Sequence, residues 1–224
     1  IFLSQYWGGR DIRRMRQTMG LTMMFVLIVA AVFMSVSLLM PRQIISLFLP
    51  QGESFDRAVE YLSVVAFGYL FTAVDNVYAA TLKAAEKTYL PMLSGFASIL
   101  TNTVLNYAFI FGKLGCPAMG VKGAALATVI SQGVSCAWVV SFLMGKKTSL
   151  RLKAQNMRID MKLLAPCIAL GLSAFIMQST ESIISVCFNS SLLKYGGDIA
   201  VGAMTILSSV MQFAMLPLQG LSQG

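Results

Sequence analysis

The chain of 224 residues contains no histidine. That absence removes imidazole acid–base chemistry, haem ligation and most zinc chemistry. Charge is scarce as well: 12% of residues are charged and 57% are hydrophobic, so polar surface is too sparse to cover a soluble domain of 24.3 kDa. The four cysteines, Cys116, Cys136, Cys167 and Cys187, lack metal-ligand spacing and read as small buried hydrophobes, so no metal site is expected. Gly145-Lys146-Lys147-Thr148 has neither the order nor the earlier glycine of a phosphate loop and reads as a basic helix end. No ATP site is expected.

What the chain does have is long uncharged runs. Between Arg16 and Arg42 stand 25 residues without a charge, and about 20 apolar residues in a helix suffice to cross some 30 Å of hydrocarbon. A second run extends from about Tyr61 to Leu82, interrupted by Asp75. A third is uncharged from Thr88 to Gly112, and a fourth from Gly123 to Gly145. The fifth, Leu163 to Leu193, holds one charge, Glu181, and the sixth is uncharged from Ile199 onward. Hydrocarbon cannot satisfy free backbone N–H and C=O groups, so the expected fold is an all-α polytopic membrane bundle.

A net charge of +8 would suit nucleic acid, but its distribution fits a membrane topology instead. Arg10, Arg13, Arg14 and Arg16 precede the first span, Lys83 and Lys87 follow the second, and six basic residues lie between Lys146 and Lys162. The alternate connections hold only Arg42, Arg57, Lys113, Lys122 and Lys194. This bias places the Arg10–Arg16, Lys83–Lys87 and Lys146–Lys162 segments in the cytoplasm. Leu3-Ser4-Gln5 recurs as Leu221-Ser222-Gln223, as expected of a window shifted across a six-helix repeat, and both ends read as cut.

Polar residues inside the runs mark the candidate site. Glu181 lies about 28 Å of helix from Lys162 and about 20 Å from Lys194. An ionised acid at that depth costs roughly 3 kcal/mol, so it should face a cavity, find a partner or hold a proton. Gln178, Glu181, Ser182, Ser185 and Asn189 share one helical face, a stripe expected to look inward. Ser98, Asn102 and Asn106 step by four along the third span, and Thr128, Ser131, Gln132 and Ser135 line one side of the fourth. Interhelical hydrogen bonding is the alternative role for such residues. Asp75, beside Asn76, is a further candidate, expected to pair locally or meet water. Fifteen methionines and fourteen phenylalanines would suit a tolerant apolar pocket, or plain core and lipid-facing surface.

Several motifs carry a family resemblance. Gln5-Tyr6-Trp7-Gly8-Gly9, Asn102-Thr103-Val104-Leu105-Asn106 with Ile110-Phe111, Gly120-Val121-Lys122-Gly123-Ala124-Ala125-Leu126-Ala127-Thr128, and Pro217, Gly220, Gln223 and Gly224 occur in that order. Together they resemble the multidrug and toxic compound extrusion (MATE) transporters over the whole chain. The resemblance implies a two-lobe fold of six plus six helices, here represented by about helices three to eight. Residues 1–145 would form most of the amino-terminal lobe, 146–162 a cytoplasmic link, and 163–224 the start of the carboxy-terminal lobe.

Further, the resemblance implies a secondary active antiporter in the plasma membrane, not an enzyme. It would export organic, often cationic, drug-like compounds in exchange for H+ or Na+ by alternating access. No cofactor beyond the coupling ion is implied, and the bilayer is the expected surroundings of a monomer. By motif, Asn102, Asn106 and Thr128 would line the amino-lobe cavity, with Asn76, Gln132 and Ser185 as further cavity candidates. Glu181 with Gln178 would couple the ion. The family commonly has Asp where Asn106 stands, and an amide cannot exchange a proton. A lipid-linked oligosaccharide flippase is the alternative, although it should carry more Arg or Lys inside the spans to hold pyrophosphate. A membrane-embedded enzyme should show clustered acids, and a channel or structural subunit would leave Glu181 unexplained.

Overall fold

The computed structural model describes residues 2–48, 51–113, 115, 117–144 and 161–223. All regular structure among them is helical: α1 (Phe2–Gly8), α2 (Ile12–Leu39), α3 (Pro41–Ser46), α4 (Glu53–Val65), α5 (Gly68–Ala84), α6 (Tyr89–Phe111), α7 (Val121–Met144) and α8 (Met161–Gln223). Among the described residues, five segments are long and apolar enough to cross a membrane, and the pair α4 and α5 raises the number to six if it counts as one broken span.

Local chemistry sets most of the boundaries. Asp11 caps α2 by accepting a hydrogen bond from the backbone N–H of Arg14, 3.0 Å away. Pro41 opens α3, where its missing N–H costs nothing. Glu53 and Asp56 lie in the first turn of α4, where acidic side chains complement the positive end of the helix dipole. α6 stops at Gly112, which takes the left-handed conformation (φ 64°). The connection then folds back, with the N–H of Met119 donating to the carbonyl of Phe109 at 2.8 Å.

The second span departs from the sequence expectation. Instead of one run starting near Tyr61, it comprises α4 from Glu53 and α5 from Gly68, bent by 53°. At the bend the 3₁₀-type bonds Phe67 N–H to Val64 carbonyl and Tyr69 N–H to Ala66 carbonyl replace the regular pattern. Gly68 lies directly against the side-chain amide oxygen of Gln132 on α7, in the space a Cβ would fill.

The chain divides into two compact units, Ile1–Cys167 and Ile168–Gly224. Unit 1 packs around Met15, Met19 and Met23 of α2, Val77, Tyr78 and Leu82 of α5, Leu90 of α6 and Val139 of α7. These methionines are therefore core. α6 meets α7 at close range because Gly123 abuts the backbone of Phe109: a Cβ there would come within 2.8 Å of the Phe109 carbonyl. Ala125 and Ala127 are fully buried alongside. Unit 2 continues α8, broken at Gly197 (φ 63°, ψ −168°), a conformation open essentially to glycine alone. The break separates the spans Ala165–Leu192 and Ile199–Leu221.

None of the three described cysteines is fully buried, contrary to the buried reading. Cys187 is exposed, and Cys136 and Cys167 are half-buried, because each projects from a helix face that its unit covers only in part or not at all. Cys116 lies outside the described residues, as do residues 145–160, which hold nearly all of the expected cytoplasmic link.

Candidate functional site

Unit 1 brings the polar residues of α5, α6 and α7 onto two seams. On the first, between α6 and α7, Asn106 Nδ2 donates to Asn102 Oδ1 at 2.9 Å. Asn102 Nδ2 donates to Ser131 Oγ at 3.3 Å, and Ser131 Oγ donates to the Thr128 carbonyl at 2.8 Å. Ser98 Oγ adds a bond to the Ser131 carbonyl at 3.0 Å, and Thr128 Oγ1 returns to the Ala124 carbonyl of its own helix at 2.9 Å. The four-residue steps along α6 therefore form a continuous polar ladder against α7. One acceptor in it, Asn106 Oδ1, is buried without a hydrogen-bond partner.

The second seam joins α5 to α7. Ser135 Oγ donates to Asp75 Oδ2 at 2.8 Å, and Gln132 rests on Gly68. Asp75 thus pairs with a hydroxyl on another helix, not with a neighbour on its own. Thr128, Ser131, Gln132 and Ser135 do not share one neighbour: Ser131 meets α6, Gln132 and Ser135 meet α5, and the Thr128 hydroxyl returns to its own helix. Their spacing marks a stripe wide enough to touch two helices. Asn76, one residue on from Asp75, is exposed and joins neither seam.

In unit 2, Gln178 Nε2 donates to Glu181 Oε2 at 3.2 Å, one turn away on the same helix. Ser182 Oγ bonds the Gln178 carbonyl at 3.0 Å. Gln178, Glu181, Ser182, Ser185 and Asn189, the stripe expected to look inward, are all exposed, because within this unit no second layer covers that face.

Two further participants stand outside the polar stripes. Gly68 carries the close approach of α5 to α7; an isolated glycine after an apolar run is its only signal. The Glu60–Lys122 ion pair, which ties α4 to the start of α7, has no local signal at all.

Known proteins share this architecture. The MatE family model matches residues 1–108. A probable multidrug resistance protein NorM of Thermotoga maritima is 37% identical over 103 residues, 46% of this chain and 22% of that protein. The multidrug export protein MepA of Staphylococcus haemolyticus is 22% identical over 223 residues, covering all of this chain and 48% of its own length. Among solved structures, the MATE multidrug transporter DinF-BH, determined in complex with a dye, aligns over 99% of this chain and 49% of its own, with TM-score 0.88 and 25% identity. An outward-facing MATE family transporter of the MOP superfamily aligns with TM-score 0.87 and 22% identity over 99% of this chain and 48% of its own, which shows a shared fold. The chain thus spans about half the length of the full-length relatives it matches. With matching helices, motifs and relatives, this polytopic membrane chain belongs to the MATE family.

Proposed function

We propose that the protein works as a secondary active multidrug efflux antiporter of the plasma membrane, exchanging drug-like organic compounds for H+ or Na+ by alternating access. The observation that carries this reading is the ladder of Asn106, Asn102, Ser131 and Thr128 inside membrane-spanning helices. Polar groups at that depth are costly and typically line a substrate or ion path. The relatives' names add support, since they are multidrug export and resistance proteins, and DinF-BH was solved with a bound dye.

In this mechanism Asn102, Asn106 and Thr128 bind substrate in the amino-terminal lobe, residues 1–145, and Gln132 extends that cavity. Residues 146–162 link it on the cytoplasmic side to the second lobe, which begins at 163. Glu181, oriented by Gln178, holds the coupling ion, with Ser185 one turn further on. Ion occupancy and drug occupancy favour opposite states of the transporter, so each drives release of the other. The Arg10–Arg16 and Lys83–Lys87 segments face the cytoplasm, in keeping with their positive charge. No cationic side chain stands in the ladder to hold a pyrophosphate, so the flippase alternative draws no support from it.

The test is efflux of a fluorescent organic cation from proteoliposomes holding the full-length protein, first under a proton gradient and then under a sodium gradient. Efflux driven by one of them is the expected result. No efflux under either, from protein shown to be folded, would overturn the antiporter reading.

A further inference from the structure

The α5–α7 seam contains a carboxylate that the ladder does not use. Asp75 sits within the apolar run of α5, about 12 Å of helix before Lys83. Its Oδ2 accepts from Ser135, while its Oδ1 is buried and accepts nothing. Gln132 Oε1, one turn away along α7, is likewise a buried acceptor without a donor. Ser135 itself is 2% exposed. A buried carboxyl oxygen that lacks a donor is a group that a cation satisfies and that further hydrophobic packing cannot.

The charged and titratable groups around the seam are few. Tyr78, one turn on along α5, and Cys136, beside Ser135 on α7, are the nearest in sequence; Lys83 lies at the end of α5 and Lys122 at the start of α7. Of the other elements packed against α5, α2 carries Arg13, Arg14 and Arg16 in its first turns and no charge after them, and α6 has no charge along its length. α1 contributes Tyr6. α4 places Glu53, Asp56, Arg57 and Glu60 towards its far end, where Glu60 pairs with Lys122, and adds Tyr61.

We propose that Asp75 Oδ1 is an exchangeable monovalent-cation site in unit 1, separate from Glu181, which binds a proton or a sodium ion while Ser135 fixes the carboxyl rotamer. Ser131 and Ser135 are one turn apart on α7, so occupancy at Asp75 is felt one turn from the ladder's Asn102 contact. That influence on transport rests on the antiporter reading. The binding itself does not.

The experiment treats the full-length wild-type protein in detergent with a hydrophobic carbodiimide, which reacts with protonated carboxyl groups in apolar surroundings, and quantifies the adduct on the Asp75 peptide by mass spectrometry. Modification that falls at least fivefold as pH rises, and is unaffected by sodium, identifies a proton site. Modification that falls at fixed pH when sodium replaces choline identifies a sodium site. Absence of the adduct at every pH, or an adduct indifferent to both pH and sodium, overturns the proposal. Ser135→Ala should move the pH or sodium midpoint without abolishing modification; an unmoved midpoint would remove Ser135 from the site. Separately, Asp75→Asn should slow gradient-driven efflux at least threefold in protein that still binds the dye. A wild type that shows cation-sensitive modification but no efflux would defeat the antiporter reading and leave the Asp75 site standing.

Discussion

The two units share one kind of polar contact and differ in a second: among the described residues, only unit 1 adds side-chain bonds between helices. In unit 1 many span hydroxyls bond to their own preceding turn, as Thr72, Thr81, Thr101 and Thr128 do, but three polar side chains also bond across helices: Asn102 to Ser131, Ser98 to the Ser131 carbonyl, Ser135 to Asp75. In unit 2 the polar side chains bond within their own helix: Thr180 to Ile176, Ser182 to Gln178, Thr205 to Val201, Ser209 to Thr205, and Gln178 to Glu181. An interhelical bond holds two elements at one distance, whereas a bond to the preceding turn leaves the helix face free. Polar groups therefore pin α6 and α5 to α7 beside the apolar core of unit 1. Glu181 of unit 2 keeps a carboxylate whose side-chain partner, Gln178, travels with it.

Six substitutions test that contrast, and the glycines give the largest effect. Gly123→Ala should destabilise unit 1 by about 1–3 kcal/mol, because its Cβ meets the Phe109 backbone at 2.8 Å and α6 must move from α7. Gly171→Ala in unit 2, with nothing within 4 Å of its Cβ, should be neutral or slightly stabilising. Thermal unfolding of the detergent-solubilised protein compares the two, and equal losses would break the contrast. Next, Asn106→Ala removes a donor to Asn102 and should weaken substrate binding by about 1 kcal/mol, roughly fivefold, with the ion dependence unchanged. A shifted pH profile at constant affinity would contradict it.

Smaller effects follow. Ser131→Ala should cost about 0.6 kcal/mol, the typical value of an interhelical bond within a membrane, whereas Ser182→Ala should cost close to nothing. A double-mutant cycle with Asn102→Ala measures the coupling directly. Smallest is Lys122→Gln, which breaks an exposed pair with Glu60 and should cost less than about 1 kcal/mol, diminishing as salt is added. A salt-independent loss would mean that Lys122 acts through packing.

Most of the span pattern is legible because it depends on hydropathy alone. The uncharged run Thr88–Gly112 becomes α6 at Tyr89–Phe111, and the run Gly123–Gly145 becomes α7 at Val121–Met144. The bend between α4 and α5 is not legible, since neither Pro nor a charge marks Val65–Phe67, and the residue that meets Gly68 there, Gln132, is 64 residues further on. The four-residue spacing of Ser98, Asn102 and Asn106 identifies a polar face, and α7 supplies its partner. For Thr128 to Ser135, periodicity reveals the stripe but not the division between two neighbours, which depends on where α5 and α6 stand. Asp75 is visible as an interruption of an apolar run, while its tie to Ser135, across 60 residues, comes only from tertiary packing.

The most direct test of the central claim is gradient-driven efflux by Glu181→Gln beside the wild type, both reconstituted as full-length protein at matched, folded amounts. The variant should bind the fluorescent cation but lose efflux under the gradient that drives the wild type. Undiminished efflux by the variant would contradict it and take ion coupling away from Glu181.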